Sequence, residues 1–217
     1  MRNEPGCRPL ETRGHQLTMN APIIILDRDG VINEDSDHYI KSVEEWKPIT
    51  GSLEAIGRLH HEGWRVFVAT NQSGLARGLF ELKALHAIHQ RLRDQLSEMG
   101  GAIEAIFFCP HGPDAQCRCR KPATGLLEDI AQRSGQDLKN VPVVGDSHRD
   151  LAAAHAMGAQ PILVKTGKGE GTWAAHQSGE SPMPANTLVF NDLQAAVEHL
   201  LQVTQKSVSK QTEERAR

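Results

Sequence analysis

The chain has 217 residues, 39% of them hydrophobic and 24% charged, with a formal net charge of −3. That is enough for one ordinary domain with a substantial core. The slightly acidic balance, without a long basic block, gives nucleic-acid binding no support, and no apolar run reaches the length that spans a bilayer.

Residues 1–19 read as a disordered extension: the stretch from Met1 to Thr18 is polar and lacks the apolar middle of a secretory signal. Met19 is a second candidate start. Without an export signal the expected compartment is the reducing cytoplasm, and Cys7, Cys109, Cys117 and Cys119 are expected as thiols. Ile23-Ile24-Ile25-Leu26 then reads as a buried strand. Directly behind it stands Asp27-Arg28-Asp29-Gly30-Val31-Ile32-Asn33. Alternate residues of an extended segment face the same way, so Asp27 and Asp29 start out towards one site. Two such carboxylates need a cation or a shared proton. An Asp-x-Asp-Gly can also be no more than a turn.

Gly51 to Glu62 carries Leu53, Ile56 and Leu59 at helical spacing. Arg65 to Ala69 reads as the second strand. Thr70-Asn71-Gln72-Ser73-Gly74 follows it, a set of hydroxyl and amide groups able to bind phosphoryl oxygens or simply to cap a helix. Leu82, Leu85, Ile88, Leu92, Leu96 and Met99 mark an amphipathic helix. On it, His86 and His89 read as solvated surface. Ile103 to Phe108 reads as a third strand, Val141 to Val144 as a fourth and Pro161 to Val164 as a fifth. Shorter helices fit Gly125 to Ser134 and Arg149 to Met157, and a last one fits Asn191 to Gln202 with Asn191 as its cap. Residues 203–217 read as a disordered, charged tail. The expected fold is therefore an α/β domain over residues 20–202, a Rossmann-like parallel sheet with helices on both faces. The chemistry should gather beyond the carboxyl ends of its strands. Only a loop and one helix lie between Gly30 and Arg65, and mostly one helix between Gly74 and Ile103, so no large cap domain fits.

Cys109-Pro110-His111 and Cys117-Arg118-Cys119 place three thiols and an imidazole within eleven residues. That set suits a closed tetrahedral zinc site with a structural role. A disulfide is the alternative, but it would be strained between near neighbours and would leave one cysteine over. The loop leads into Arg120-Lys121-Pro122. Lys121 is either solvated or placed to neutralise a phosphate or a carboxylate. After the fourth strand, Gly145-Asp146-Ser147-His148-Arg149-Asp150 offers Asp146 as a partner of Asp27, or as a helix cap, and Asp150 as a support for Lys121 or for the outer shell of a metal.

Taken in order, Asp27-x-Asp29, Thr70, Lys121 and Gly145-Asp146-x-x-x-Asp150 resemble the haloacid dehalogenase-like phosphatase superfamily, over about Ile23 to Lys168. The resemblance implies Asp27 as nucleophile and Asp29 as acid and base. It implies magnesium on Asp27, the Asp29 backbone carbonyl and Asp146, and phosphoryl contacts from Thr70 and Lys121. Asp-Arg-Asp-Gly-Val-Ile-Asn, Thr-Asn-Gln-Ser-Gly-Leu-Ala-Arg-Gly, Cys-Pro-His and Cys-x-Cys-Arg-Lys-Pro are together similar to the D-glycero-D-manno-heptose 1,7-bisphosphate 7-phosphatase family. Those enzymes feed nucleotide-activated heptose into bacterial cell-surface polysaccharide. This implies an enzyme acting on a small sugar bisphosphate, with the anomer left open; composition adds the expectation of a cytoplasmic protein with no nucleic-acid or membrane partner, and a monomer is expected. Substrate contacts are implied at Arg28, at Asp35, Ser36, Asp37 and His38, at Asn71, Gln72 and Ser73, and at Arg120. A histidinol-phosphate phosphatase shares much of the pattern and is the alternative. An idle zinc-stabilised binding module is a further one, against which the intact carboxylates and lysine speak.

Overall fold

The computed structural model describes residues 21–215, with side chains through residue 206. The extension over residues 1–19, with Cys7 and Met19, lies outside the described residues. The elements in chain order are β1 (Ile23–Leu26), α1 (Ser52–His61), β2 (Arg65–Asn71), α2 (Leu82–Glu98), β3 (Ala105–Cys109), α3 (Gly125–Ser134), β4 (Pro142–Gly145), α4 (His148–Ala156), β5 (Gln160–Val164), α5 (Gly169–Gln177), β6 (Leu188–Phe190) and α6 (Leu193–Arg215).

All six strands are parallel, in the order β3-β2-β1-β4-β5-β6. Every residue of β1 is buried, which explains its unbroken apolar run: helices cover both faces. The pleat divides the core. Ile24, Leu26, Val66, Val68 and Val144 pack with residues of α1, α2 and α6 on one face. Ile23, Ile25, Phe67, Ala69 and Val143 pack with residues of α3 and α4 on the other.

The chain first winds outward from β1 through β2 to β3, then returns to lay β4 against the free side of β1. Ile25 pairs with Val143 and Leu26 with Val144. The winding direction thus reverses between β1 and β4, and a parallel sheet opens its binding crevice at such a reversal. Asp27 and Asp146 follow these two strands. The connections β1 to β2 and β2 to β3 hold only α1 and α2 respectively, so among the described residues no cap domain is inserted there.

Several details differ from the sequence reading. β2 runs on to Asn71, so Thr70 and Asn71 end the strand rather than follow it. α5 and β6 were not foreseen. α5 buries only Gly169 and carries almost no apolar stripe, and β6 is a three-residue, half-buried edge strand. The last helix is capped one residue later than expected, because the Asp192 carboxylate accepts the Ala195 N–H at 2.8 Å. The chain after 202 continues as helix to Arg215 rather than as a loose tail. It holds no glycine or proline there and is rich in Gln, Lys, Glu and Arg, all good helix formers.

Candidate active site

The loops after β1, β2, β3, β4 and β5 enclose a cavity of about 400 Å³. Asp27, Asp29, Asp35, Ser36, Asp37, Thr70, Asn71, Gln72, Ser73, Arg120, Lys121 and Asp146 all line it. Two residues expected with them do not. Arg28 is buried, 1% exposed, and its guanidinium is spent on Asp29 and His89. His38 is exposed and does not line the cavity. Tyr39, Arg77, Arg149 and Lys168 line the cavity and were missed. Each lies in or beside a quoted motif or strand end, so the rule about carboxyl ends of strands could have flagged them.

The floor is a cluster of charges. Asp27, Asp146 and Asp150 bring carboxylate oxygens within 4.8 Å of one another. Lys121 Nζ stands 3.0 Å from Asp27 Oδ1 and 2.5 Å from Asp150 Oδ1, and donates to the Ala69 carbonyl at 2.7 Å. Burial pushes Asp27 up to about 8; Lys121 pulls it back, and the Asp150, Asp146 and Asp29 charges add to the rise. Asp146 is likewise pushed up to about 7 by burial and by Asp150. Burial also works against ionised Asp150, but Lys121 outweighs it and holds that carboxyl below its usual range. Lys121 in turn is raised above an ordinary lysine by Asp150 and Asp27, against its own burial.

Asp146 is not a helix cap. Ser147 and Asp150 form the capping box of α4, with Ser147 Oγ and N–H both donating to Asp150 Oδ2. Asp146 is left free to face Asp27, steadied by the Lys168 N–H at 2.8 Å. Gly30 and Gly167 make room for it: a Cβ on either would collide with its carboxylate, and both glycines have positive φ.

Asp29 sits in a different environment from Asp27. Arg28 donates to both its oxygens, Asn33 Nδ2 donates at 2.9 Å and Gln72 Nε2 at 2.8 Å. Burial would raise this carboxyl, but the Arg28 charge and these hydrogen bonds hold it below the usual carboxylate range. Gln72 also donates to Thr70 Oγ1 at 3.0 Å. The Asn71 amide clasps the Lys121 backbone at both ends, at 3.1 Å each, and so ties β2 to the lysine loop. Lys168 Nζ pairs with Asp35 Oδ2 at 2.8 Å across the mouth.

Beside the cavity, Cys109, His111, Cys117 and Cys119 converge. Their sulfur pairs lie 3.2 to 3.6 Å apart, and His111 Nδ1 lies 3.3 Å from Cys119 and 3.6 Å from Cys109. All three cysteines are free. A disulfide needs about 2.05 Å. The edges of a tetrahedron of 2.3 Å zinc–sulfur bonds are roughly 3.8 Å, close to the observed spacing.

A hydrolase-like family model, described as HAD-hydrolase-like, matches residues 118–196. A D-glycero-β-D-manno-heptose-1,7-bisphosphate 7-phosphatase of Pseudomonas aeruginosa is 53% identical over 184 residues, 85% of this chain and 100% of that one. The corresponding enzyme of Neisseria meningitidis serogroup A is 43% identical, over 83% of this chain and 95% of its own. This chain belongs to the heptose-bisphosphate phosphatase family. Among solved structures, the Bordetella bronchiseptica D,D-heptose 1,7-bisphosphate phosphatase, complexed with magnesium and phosphate, superposes with a TM-score of 0.80 at 53% identity, covering 83% of this chain and 98% of that one.

For a heptose-bisphosphate phosphatase, both donor sets here fit their metals. The Asp27 and Asp146 carboxylates are pushed towards neutrality by burial and mutual repulsion. An all-oxygen cluster of this kind is completed by a hard divalent cation such as magnesium. The three sulfurs and one imidazole suit zinc, and four protein ligands leave it no open position, which makes it structural.

Proposed function

We propose that this chain is a magnesium-dependent phosphomonoesterase that removes the 7-phosphate of D-glycero-β-D-manno-heptose 1,7-bisphosphate, in the cytoplasm and as a monomer. The β anomer follows the names of the relatives. The single observation that carries the reading is the pairing, at the reversal of the sheet, of Asp27 with Lys121 on one side and Asp146 on the other.

Asp27 and Asp146 would hold magnesium, with the Asp29 carbonyl. Bound there, the ion would keep both carboxylates ionised and supply positive charge to offset that on the phosphoryl oxygens. Asp27 attacks phosphorus with a carboxylate oxygen; the new O–P bond forms as the bond from phosphorus to the C7 oxygen breaks. Asp29 gives that oxygen its proton. Although Asp29 is ionised at rest, an entering phosphate dianion raises its affinity for a proton. In the second half-reaction water gives Asp29 a proton and attacks phosphorus, and the Asp27–P bond breaks to release inorganic phosphate. Thr70 and Lys121 bind the phosphoryl oxygens, and Arg120 reads the anomeric phosphate at the rim.

Histidinol phosphate is the competing substrate. Specificity constants for the two substrates under magnesium decide between them. The heptose bisphosphate should be preferred by at least an order of magnitude, as a site that binds a second charged group rejects a substrate lacking it. A preference for histidinol phosphate would replace this reading.

A further inference from the structure

His89 lies outside the cavity, on the buried face of α2, and is 8% exposed, contrary to the surface position its sequence suggested. Its Nε2 lies 3.3 Å from Arg28 Nη1. A guanidinium carries only donors, so Nε2 must present its lone pair. The ring is therefore neutral, with its proton on Nδ1. Burial and the adjoining Arg28 charge push its pKa down to about 3, consistent with that form. The other donors of Arg28, Nε and Nη2, grip both oxygens of Asp29 at 2.8 to 3.1 Å.

We propose that His89 is a positioning residue that, by holding the far end of Arg28, fixes the Asp29 carboxyl group in the orientation needed to exchange a proton with the leaving oxygen. The proposal rests on Asp29 as acid and base. Asp29 follows β1 on a loop, whereas His89 is mounted on a helix whose neighbours Leu85, Ile88 and Leu92 are fully buried. The Phe108 ring lies against the imidazole, with centroids 6.2 Å apart. Arg28 thus ties a loop carboxylate, which Asn33 and Gln72 hold from its other sides, to a helical support. Without an acceptor at Nη1, the buried guanidinium has an unpaired donor and a reason to turn. Asp29 then keeps Asn33 and Gln72 but loses the two-pronged grip of Arg28 on both its oxygens, and with it its orientation. Asp27, held by the Arg28 N–H and by Lys121, does not depend on this link.

The test separates proton transfer from general damage. His89→Leu, His89→Gln, His89→Asn and Asp29→Asn are compared with the wild type in full-length, zinc- and magnesium-loaded protein. The substrates are a primary sugar phosphate and 4-nitrophenyl phosphate, whose leaving group needs no proton. His89→Leu should lose roughly 10-fold or more in kcat on the sugar phosphate, as removal of a supporting hydrogen bond does elsewhere, and little on the aryl ester. Gln places an amide oxygen near the position of Nε2 and should recover the sugar-phosphate rate. Asn, one methylene shorter, should not. This pair keeps the test decisive if the leucine variant fails to fold. Equal losses on both substrates, or equal rates for Gln and Asn, overturn the proposal while a selective Asp29→Asn loss leaves the acid role standing. If Asp29→Asn itself shows no preference for the aryl ester, the acid role falls and the proposal with it.

Discussion

At Asp27 two demands conflict. The nucleophilic role proposed for it requires an ionised carboxylate, yet burial pushes this carboxyl up to about 8. The same holds for Asp146, at about 7. Both groups keep a proton in the folded, metal-free protein that the unfolded chain has already lost above its ordinary pKa of 3.8. Stability from these groups therefore falls as pH rises from about 4 to about 8. His89 works in the opposite direction, but only between about 3 and its ordinary 6.5. Above pH 6.5 His89 drops out, and Cys117, lowered to about 6 in the metal-free protein, works against the carboxyls. The slope of Asp27 and Asp146 is therefore read in zinc-loaded protein, where that thiolate is already held by the metal. In magnesium-free buffer the unfolding free energy should fall between pH 6.5 and 8, by up to about 1.4 kcal/mol per pH unit for each proton involved, and the melting temperature should fall with it. Saturating magnesium should flatten that slope, because it binds the ionised form. A magnesium-free melting temperature that rises over this window would contradict the account. Arg120 allows a second prediction at the same scale. Its guanidinium lines the cavity and makes one weak bond, to the His111 carbonyl at 3.3 Å. Arg120→Ala should lower kcat/KM for the bisphosphate by one or two orders of magnitude more than for a matched monophosphate, in line with the roughly 1.5–3 kcal/mol of a charged hydrogen bond. Equal losses on both would remove Arg120 from phosphate recognition.

At the scale of elements, the site is a set of strand ends, and that is why much of it was legible. Apolar runs of four residues marked β1, β2, β4 and β5, and polar residues at or after their ends meet in the cavity. What the sequence hid lies where local pattern is weak. α5 has no apolar stripe, yet the loop before it supplies Lys168, which binds Asp146 through its backbone and Asp35 through its side chain. His89 was hidden for another reason: its helical position lies on the buried side, but only the fold brings Arg28 against it. Asn71 was legible as a polar residue at the site but not as the clasp on the Lys121 loop. The glycine after Asp29 can be tested. Gly30 has φ of +80° and a Cβ there would strike the Asp146 carboxylate. Gly30→Ala should lose most magnesium-dependent activity and raise the magnesium concentration needed for half-activity. Unchanged magnesium dependence would show that Asp146 tolerates the shift. The cysteine loop makes a matching case. Purified protein should hold about one zinc per chain before magnesium is added, from its four ligands. Cys117→Ser should lose that zinc and make the loop before Arg120 sensitive to protease, with the helix content of the domain retained. A zinc-free protein with a Cys109 disulfide would refute the structural-zinc reading.

At the scale of the whole molecule, the order β3-β2-β1-β4-β5-β6 does the assembling. It sets Asp27 and Asp146 side by side although 119 positions separate them in sequence (146 − 27). Among the described residues it also leaves the crevice without an inserted cap domain, since only single helices connect the first three strands. The rim is made of short loops: the Asp35–Tyr39 turn, the Arg77 loop, the loop with Arg120, and Arg149 and Lys168 opposite; under the proposed function, recognition would fall to them. A charged, extended sugar bisphosphate suits such a rim, as its two phosphates can be bound about the two sides of the opening. No described helix is long and apolar enough to cross a membrane. The central claim is that Asp27 takes the primary phosphate and leaves the anomeric one. Phosphorus NMR of D-glycero-β-D-manno-heptose 1,7-bisphosphate, turned over with magnesium by the wild type and by Asp27→Asn, tests it most directly. The wild type should convert the C7 phosphorus signal to inorganic phosphate while the anomeric signal persists, and Asp27→Asn, folded and zinc-loaded, should leave both signals unchanged. Loss of the anomeric phosphate, or hydrolysis by Asp27→Asn at a rate near that of the wild type, would contradict it.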